Sequence, residues 1–289
     1  MYPSRFHYEA PRSLDEAFDV LQTYGDEAKV LAGGQSLIPL IKLRFAAPAV
    51  ILDINNIPGL DYHEEDSDGS LHIGALCRHR TLERSQLLRT KHPTMSSCAP
   101  LIADPMVRSR GTLVGSLCHA DPQGDWASVM LALGGEIIAQ SAGGRERAIP
   151  ASQFVVGPFQ NTLDTGEIAV RARVPAPRGS RSGTYFKLER RVGDFATVGV
   201  AVALETSGGT INRAGIALTG VGPSNIQCTA AEQALAGKSL NASTIDQAAR
   251  LAAEAAQPKT DVRGSAEYKR HVVYTFVTRA LSNRGAMAA

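Results

Sequence analysis

Two glycine-bearing segments contain the residues of this chain that are best suited to chemistry. The first segment consists of Leu31, Ala32, Gly33, Gly34, Gln35, Ser36 and Leu37, and the second of Gly111, Thr112, Leu113, Val114, Gly115 and Ser116. Each combines small and hydroxyl-bearing residues with an apolar neighbour, so backbone N–H groups can approach a polyanion without obstruction by side chains. Two such loops can hold one diphosphate between them, which predicts a dinucleotide cofactor bound by loops.

Neither loop has the spacing of a P-loop or of the Rossmann G-x-G-x-x-G motif, so the usual nucleotide-binding folds are not supported. An ordinary strand-to-helix turn is the alternative for the first loop, although Gln35 and Ser36 can add donors beside the free N–H groups of a helix start. Asp125 follows the second loop and heads an apolar helix. It is either an N-cap or a carboxylate that accepts hydrogen bonds from sugar or ribityl hydroxyls.

Composition excludes several classes of protein. Lys and Arg number 30 and Asp and Glu 28, a net charge of +2 that gives no reason to invoke nucleic acid or a membrane surface. No apolar run has the length of a transmembrane helix, and the N-terminus lacks a signal-peptide core. We therefore expect a cytoplasmic protein. The 4 cysteines form no C-x-x-C pair, which argues against an iron–sulfur cluster or zinc site in this chain.

The elements around the loops form a small α/β unit. A strand over 29–32 enters the first loop, a helix over 36–45 follows, and a buried strand covers 50–54. A second lobe begins near Gly59 and carries a helix over 81–88, the second loop, the helix over 125–133 and a strand over 136–139 with a hairpin turn at 141–144. The Pro- and Gly-rich stretch 175–180 is the best domain boundary in the chain.

The part after this boundary has a different pattern. Three strands are expected over 184–189, 197–205 and 211–219, and the Gly208-Gly209 turn indicates an antiparallel sheet. Helices are expected over 230–236, 245–256 and 266–281. Tyr185, Lys187 and Glu189 share one face of the first strand. Lys187 is either a solvated edge charge or, if this face meets a flavin, a cation that favours negative charge on the reduced ring.

Four motifs in this order resemble the FAD-binding medium subunits of molybdenum hydroxylases, the family that includes aerobic carbon monoxide dehydrogenases and the flavin segments of xanthine dehydrogenase. The motifs are A-G-G-Q-S-L at 32–37, G-T-L-V-G-S at 111–116, H-A-D-P-x-x-D at 119–125 and K-L-x-R-R-x-G-D-F-A at 187–196. Each motif is modestly specific, but the four with these spacings are highly specific. The resemblance extends from Phe6 to Leu281.

The resemblance implies an α+β protein. A two-lobed α/β FAD-binding domain of the vanillyl-alcohol-oxidase type would occupy 1–177, with lobes 1–58 and 59–177, and a C-terminal domain with a three-stranded antiparallel sheet and helices would occupy 178–289. Leu31 to Leu37 and Thr112 to Ser116 would hold the diphosphate, and Asp125 the ribityl hydroxyls. The remaining matches line the cofactor cleft or the isoalloxazine: Ile102, Ala103, Ile168, Ala169, Lys187 and Phe195.

Two positions depart from the family pattern. The second loop is usually T-I-G-G-N, so Val114 replaces a glycine and Ser116 an asparagine. Because a β-branched residue tolerates positive φ poorly, Val114 is expected to place its N–H less well or to alter the path of the loop, and so to weaken FAD binding. Gln35 stands where the carbon monoxide enzymes tend to have histidine, which favours another substrate class.

The function implied by the resemblance is electron transfer. FAD in this chain would take electrons from [2Fe–2S] clusters on a small partner subunit and pass them to an external acceptor. A large partner subunit with a molybdenum cofactor would oxidise the substrate, carbon monoxide or an N-heteroaromatic or aldehyde-type compound. No catalytic residue and no metal site are expected here, and any membrane association would be peripheral, through the complex. The alternatives are a stand-alone FAD oxidoreductase, which would need a larger substrate cap, and a non-enzymatic nucleotide-binding scaffold.

Overall fold

A computed structural model describes residues 2–282 of the chain. The strands, in chain order, are β1 His7–Glu9, β2 Ala28–Leu31, β3 Val50–Asp53, β4 His63–Glu65, β5 Leu71–Gly74, β6 Glu136–Ser141, β7 Arg145–Pro150, β8 Val155–Gly157, β9 Gln160–Asn161, β10 Ile168–Val174, β11 Ser180–Leu188, β12 Val198–Ser207, β13 Thr210–Thr219 and β14 Ile226–Gln227. The α-helices are α1 Leu14–Tyr24, α2 Leu37–Lys42, α3 His79–Arg84, α4 Gln86–Lys91, α5 Pro93–Cys98, α6 Pro105–Arg110, α7 Leu113–His119, α8 Asp125–Leu133, α9 Ala151–Phe154, α10 Thr229–Leu235, α11 Ala242–Ala255 and α12 Ala266–Ser282.

The first lobe is built on a parallel sheet in the order β1-β3-β2. Its central strand β3 reads Val50-Ile51-Leu52, and these side chains are fully buried, as expected for a strand covered on both faces. The predicted strand–loop–helix–strand unit is confirmed. Helix α2 ends at Lys42 instead of continuing to residue 45, because Arg44 adopts a left-handed φ of 60° that stops the helical path.

The second lobe is an antiparallel sheet in the order β4-β5-β10-β6-β7, with α3 to α8 inserted between β5 and β6. The predicted turn at 141–144 joins β6 to β7. The single helix expected over residues 81–88 is divided into α3 and α4 at Ser85. The hydroxyl of Ser85 accepts a hydrogen bond from the N–H of Leu88, so this residue caps a new helix where the sequence pattern indicated continuity.

The C-terminal sheet has the order β11-β12-β13-β14. The three predicted antiparallel strands are present, and the short strand β14 adds a fourth. Strand β12 is buried on both faces: Val200, Val202 and Leu204 pack with α10, α11 and α12, whereas Ala201 and Ala203 join the core of the preceding lobes. This alternation follows from the two-residue period of a strand.

Small residues let the N-terminal lobes approach this sheet closely. A Cβ atom at Gly215 on β13 would lie 1.8 Å from the carbonyl oxygen of Ala132 on α8. Helix α8 therefore packs with its backbone almost against the sheet, and its first residue, Asp125, lies beside β11. None of the helices within residues 2–282 is long and apolar enough to cross a membrane.

Candidate functional site

The two glycine loops are in direct contact. A Cβ atom at Gly33 would lie 2.2 Å from the carbonyl oxygen of Arg110 and 2.7 Å from Cα of Gly111. A Cβ atom at Gly115 would lie 2.6 Å from Oγ1 of Thr112 and 3.9 Å from Cβ of Ala32. Glycine is therefore required for the approach, and the fold brings together the two segments that the sequence singles out.

The first loop presents backbone donors. Its N–H groups at Gly34, Gln35, Ser36 and Leu37 donate to no acceptor within residues 2–282. Gly34 has a φ of 74°, which turns the chain sharply at the end of β2. The amide of Gln35 donates to the carbonyl oxygen of Gly33 at 3.3 Å, so this side chain folds back on its own loop. A run of unpaired N–H groups at a turn suits a multiply charged anion.

The second segment is less of a loop than its sequence indicated. Thr112 is the N-cap of α7, and its hydroxyl accepts from the N–H of Gly115 at 3.1 Å. Val114 is a buried residue in the first turn of this helix, with no positive φ. The expectation that a β-branched residue would distort the segment is wrong, because a helical backbone accommodates valine. Its N–H has no acceptor among the described residues.

Asp125 forms a buried polar network with the C-terminal sheet. Its Oδ1 accepts from the hydroxyl of Tyr185 at 2.6 Å, and its Oδ2 lies 3.1 Å from Nζ of Lys187. Lys187 also donates to the carbonyl oxygen of Leu101 at 2.9 Å, and Glu189 lies 3.5 Å from its Nζ. Burial raises the pKa of Asp125, and the charge of Lys187 opposes that rise. Gly124 occupies the N-cap position, so Asp125 is not the N-cap.

The predicted shared face of Tyr185, Lys187 and Glu189 is present, but Lys187 is not a solvated edge charge. Its side chain is only 2% exposed. It contacts Asp125, the first residue of α8, and Leu101 in the segment before α6. This lysine therefore joins the C-terminal sheet to two separate segments of the second lobe. The carboxylates of Asp125 and Glu189 flank this buried ammonium, so Lys187 is the cation of an ion network in a region of low dielectric.

The segment over residues 101–104 is strained. Ala103 has a φ of 41°, a left-handed conformation that costs about 1 kcal/mol for a residue with a Cβ atom. Nη1 of Arg108 donates to the carbonyl oxygens of Ile102 and Ala103 at 2.9 Å each, and its Nε donates to Glu83 at 2.9 Å. Backbone strain held by buried hydrogen bonds is typical of a ligand-binding position.

The fourth motif, at residues 187–196, lies against this strained segment. A Cβ atom at Gly193 would lie 3.0 Å from the carbonyl oxygen of Ala103. Phe195, two residues on, is half exposed, and its carbonyl oxygen accepts from Nη1 of Arg263 at 2.9 Å. Ile168 and Ala169 are buried at the start of β10, against which α7 packs. The fold thus packs the strand that carries Ile168 and Ala169 against α7, and it brings Gly193, two residues before Phe195, against Ala103.

A neutral histidine lies beneath the second segment. Nε1 of Trp126 donates to Nδ1 of His79 at 3.0 Å, and the backbone N–H of His79 donates to the carbonyl oxygen of Gly111 at 2.9 Å. Burial, aided by the charge of Arg108, lowers the pKa of His79 to about 3. The imidazole is therefore uncharged at neutral pH and acts as a packed support for Gly111.

The cysteines take no part in the site. Cys77, Cys98 and Cys228 are buried, and Cys118 is partly buried. Burial raises the pKa of each thiol, to about 12 for Cys118, so none has the thiolate character of a reactive residue. Within residues 2–282, no three His, Cys, Asp or Glu side chains are grouped to hold a metal ion.

Sequence reasoning missed the supporting residues Glu83 and Arg108. Both are charged residues on short amphipathic helices, a pattern that normally indicates a solvated surface. The burial of Arg108 follows from the turn at Ala103, which has no sequence signal of its own. Asp104 beside Pro105 does mark the start of α6, since its carboxylate accepts from the N–H groups of Met106 and Val107.

Comparisons with known proteins agree with this geometry. The family described as "FAD binding domain in molybdopterin dehydrogenase" matches residues 4–177, and the "CO dehydrogenase flavoprotein C-terminal domain" matches residues 183–283. The carbon monoxide dehydrogenase medium chain of Hydrogenophaga pseudoflava is 38% identical over 289 residues, which cover 100% of both chains. The 6-hydroxypseudooxynicotine dehydrogenase complex subunit alpha of Paenarthrobacter nicotinovorans is 39% identical over 98% of this chain and 95% of its own. A solved structure of the Hydrogenophaga carbon monoxide dehydrogenase matches with a TM-score of 0.94 and 39% identity, covering 100% of both chains.

Proposed function

The chain belongs to the FAD-binding medium subunits of the molybdenum hydroxylases, and from that premise we propose that it is the electron-transfer subunit of such a complex. FAD is the cofactor of this family, and the chain is a subunit of an oxidoreductase. The observation that best supports a retained cofactor site is the contact of Gly33 with Arg110 and Gly111. It places two sets of backbone donors side by side, as one diphosphate requires.

The residues at this contact fit FAD. Leu31 to Leu37 and Thr112 to Ser116 would hold the diphosphate, chiefly through N–H groups that have no acceptor within the described residues. Asp125 would bind the ribityl hydroxyls. A carboxylate accepts up to about four hydrogen bonds, and Tyr185 and Lys187 use two of them.

The isoalloxazine would lie where three parts of the chain converge. Ile102 and Ala103 provide the strained segment, Ile168 and Ala169 an apolar strand start, and Lys187 the buried charge. Phe195 would cover one edge of the ring. When bound, FAD supplies two-electron storage with one-electron exchange. The chain's part is to exclude water, to orient the ring and to place the ammonium of Lys187 near it.

Partner subunits would supply the rest of the reaction. A small subunit with [2Fe–2S] clusters would deliver single electrons to the flavin, and a large subunit with a molybdenum cofactor would hold the substrate. The names of the relatives support carbon monoxide or an N-heteroaromatic compound as the class of substrate, with an aldehyde-type compound as a further member of the group. An external acceptor would remove the electrons. The complex, to which this chain would contribute no transmembrane segment, would lie in the cytoplasm.

We also propose that the chain divides near Pro177. Residues 1–177 would be the FAD-binding domain, with lobes 1–58 and 59–177, and residues 178–289 the C-terminal domain. The separate hydrophobic cluster formed by β12, β13 and helices α10 to α12 supports this division. Expression of the two parts as separate chains, with recovery of a folded C-terminal domain, would test it.

Reconstitution tests the electron-transfer role. The chain is loaded with FAD, combined with its two partner subunits and mixed anaerobically with substrate. We expect the visible flavin absorption to bleach after the iron–sulfur absorption. The control is a complex built with a FAD-deficient variant, in which the clusters should be reduced while transfer to the external acceptor is lost. Equal acceptor reduction with and without FAD would contradict the proposed role.

A further inference from the structure

We propose that Asn55 and Arg78 form a clasp that holds the two glycine loops at the separation that FAD binding needs. The inference rests on the proposed diphosphate site and adds two residues that lie outside the four motifs. Neither residue is in a glycine loop. Asn55 follows β3 and Arg78 precedes α3, so they come from different lobes of the chain.

Three hydrogen bonds join the backbone of one loop to the backbone of the other. Nδ2 of Asn55 donates to the carbonyl oxygen of Ala32 at 2.7 Å. Nη1 of Arg78 donates to the carbonyl oxygen of Arg110 at 2.7 Å, and its Nη2 donates to Oδ1 of Asn55 at 2.5 Å. The two carbonyls belong to residues adjacent to Gly33 and Gly111, where the loops approach most closely. The clasp therefore spans the contact itself.

The asparagine end is fixed by the residue that ends β3. Oδ1 of Asp53 accepts from the backbone N–H of Asn55 at 2.9 Å and from its Nδ2 at 2.5 Å. The other oxygen of Asp53 accepts from the hydroxyl of Tyr8 at 2.7 Å. These bonds orient the amide of Asn55, because exchanging its oxygen and nitrogen would turn a carbonyl oxygen toward Asp53 and Ala32.

The arginine end is fixed by its own backbone. Arg78 forms an isolated antiparallel bridge with Thr112, and the next residue, His79, donates its N–H to the carbonyl oxygen of Gly111. The guanidinium is the suitable group because its planar fork presents two parallel donors to two different acceptors. An ammonium at this position carries the same charge, but a single nitrogen cannot span both acceptors in the same geometry.

Arg78 lies among charges of both signs, those of Arg110, Asp53 and Asp61. Burial lowers the pKa of its guanidinium, and the neighbouring charge of Arg110 adds to that effect. Two arginines beside a diphosphate site would attract the anion by charge alone, so any test has to separate attraction from positioning. Preorganised donors lose less entropy when a ligand binds, which is the contribution expected from a clasp.

The test uses Arg78→Lys, Arg78→Met and Asn55→Ala in the full chain, with Arg147→Lys as a matched control. Arg147 also joins a backbone carbonyl, that of Thr162, to a side chain, Glu167, but away from the loops. Flavin is removed, the FAD dissociation constant is measured by titration of flavin fluorescence, and thermal unfolding of the FAD-free protein is recorded for every variant.

We expect each clasp variant to raise the FAD dissociation constant about tenfold to a hundredfold, the range for one hydrogen bond to a charged group. The control should bind FAD like the wild type, and the FAD-free variants should melt close to the control. Arg78→Lys should resemble Arg78→Met, because bridging and not charge is lost. The double variant Asn55→Ala with Arg78→Met should have an FAD dissociation constant no higher than that of the single variant that binds FAD more weakly, because one broken hydrogen bond already opens the clasp.

Three results would overturn the clasp. One is wild-type affinity in Arg78→Lys together with weak binding in Arg78→Met, which would assign the effect to charge. Another is unchanged affinity in Asn55→Ala and Arg78→Lys. The third is additive losses in the double variant. A wild-type chain that binds no FAD, either alone or assembled with its partner subunits, would refute the proposed cofactor site instead, so the two failures are distinguishable.

Discussion

Replacing Gly33 by alanine tests the contact between the two loops. The added Cβ atom would lie 2.2 Å from the carbonyl oxygen of Arg110 and 2.9 Å from its carbonyl carbon. A close carbon-to-oxygen contact is about 3.3 Å, so the two backbones have to separate by about 1 Å. The neighbour is backbone on a capped helix and cannot rotate away, and the strain is therefore transmitted to the donors of both loops.

The effect on FAD binding follows from hydrogen-bond geometry. A shift of about 1 Å takes a donor out of bonding range, and each bond to a charged acceptor contributes about 1.5–3 kcal/mol. Loss of two such bonds costs about 3–6 kcal/mol, so the dissociation constant should rise about a hundredfold or more. We expect Gly33→Ala to be purified largely without flavin and to bind added FAD weakly.

The assay is a fluorescence titration of FAD-free protein, with Gly166→Ala as the control. A Cβ atom at Gly166 meets no atom within 4 Å, and its backbone has no positive φ, so the same substitution there should leave affinity and melting temperature unchanged. Wild-type FAD affinity in a folded Gly33→Ala protein would refute the reasoning, because it would mean that the loop contact has no part in holding the cofactor.

Three further predictions concern the residues around the loops. Asp125→Ala should lower the free energy of unfolding by up to roughly 3–5 kcal/mol, because it removes the nearer carboxylate from the buried Lys187 and leaves Glu189 at 3.5 Å; urea unfolding should show a smaller loss when Lys187→Met is added, and equal losses would contradict the pairing. Val114→Gly should lower the free energy of unfolding by about 2–4 kcal/mol, from one glycine in a helix and one buried valine side chain, with FAD affinity unchanged in the titration; tighter binding would mean that the valine weakens FAD binding without altering the path of the segment. Burial lowers the pKa of His79 to about 3 and of His92 to about 4, and it also lowers the pKa of His63 and His119, so the unfolded chain takes up protons that these histidines exclude in the native chain. His79 and His92 together should then remove about 4 kcal/mol of the stability present above about pH 6.5 as the pH falls from 7 to 5, and urea unfolding of His92→Asn should show a pH dependence smaller by about 2 kcal/mol, whereas an unaltered slope would exclude His92.

Motifs made the loops predictable, whereas the contacts that connect them were not. Gly33 and Gly111 lie in short segments of small residues whose local pattern indicates backbone donors. The helical state of Val114 has a local signal as well, since Thr112 is a suitable N-cap three residues before Gly115. Family comparison obscured this signal, because a glycine expected at position 114 suggested an irregular loop.

Long-range pairing accounts for what the sequence left open. Lys187 and Asp125 are 62 residues apart, and their contact depends on how closely α8 packs against the sheet at Gly215. Strand periodicity correctly placed Lys187 on a shared face but could not tell whether that face meets solvent or another lobe. Asn55 and Arg78 lie in no recognisable motif, because the role of each depends only on the backbone carbonyl oxygen to which it donates a hydrogen bond.

The absorption spectrum of the purified chain, before and after FAD is added, tests the central claim most directly. We predict a visible flavin band that remains after gel filtration and corresponds to one FAD per chain. If the chain alone is colourless, the same measurement is made on the chain assembled with its partner subunits. Failure to retain FAD in both forms would contradict the assignment of the two loops as a flavin site.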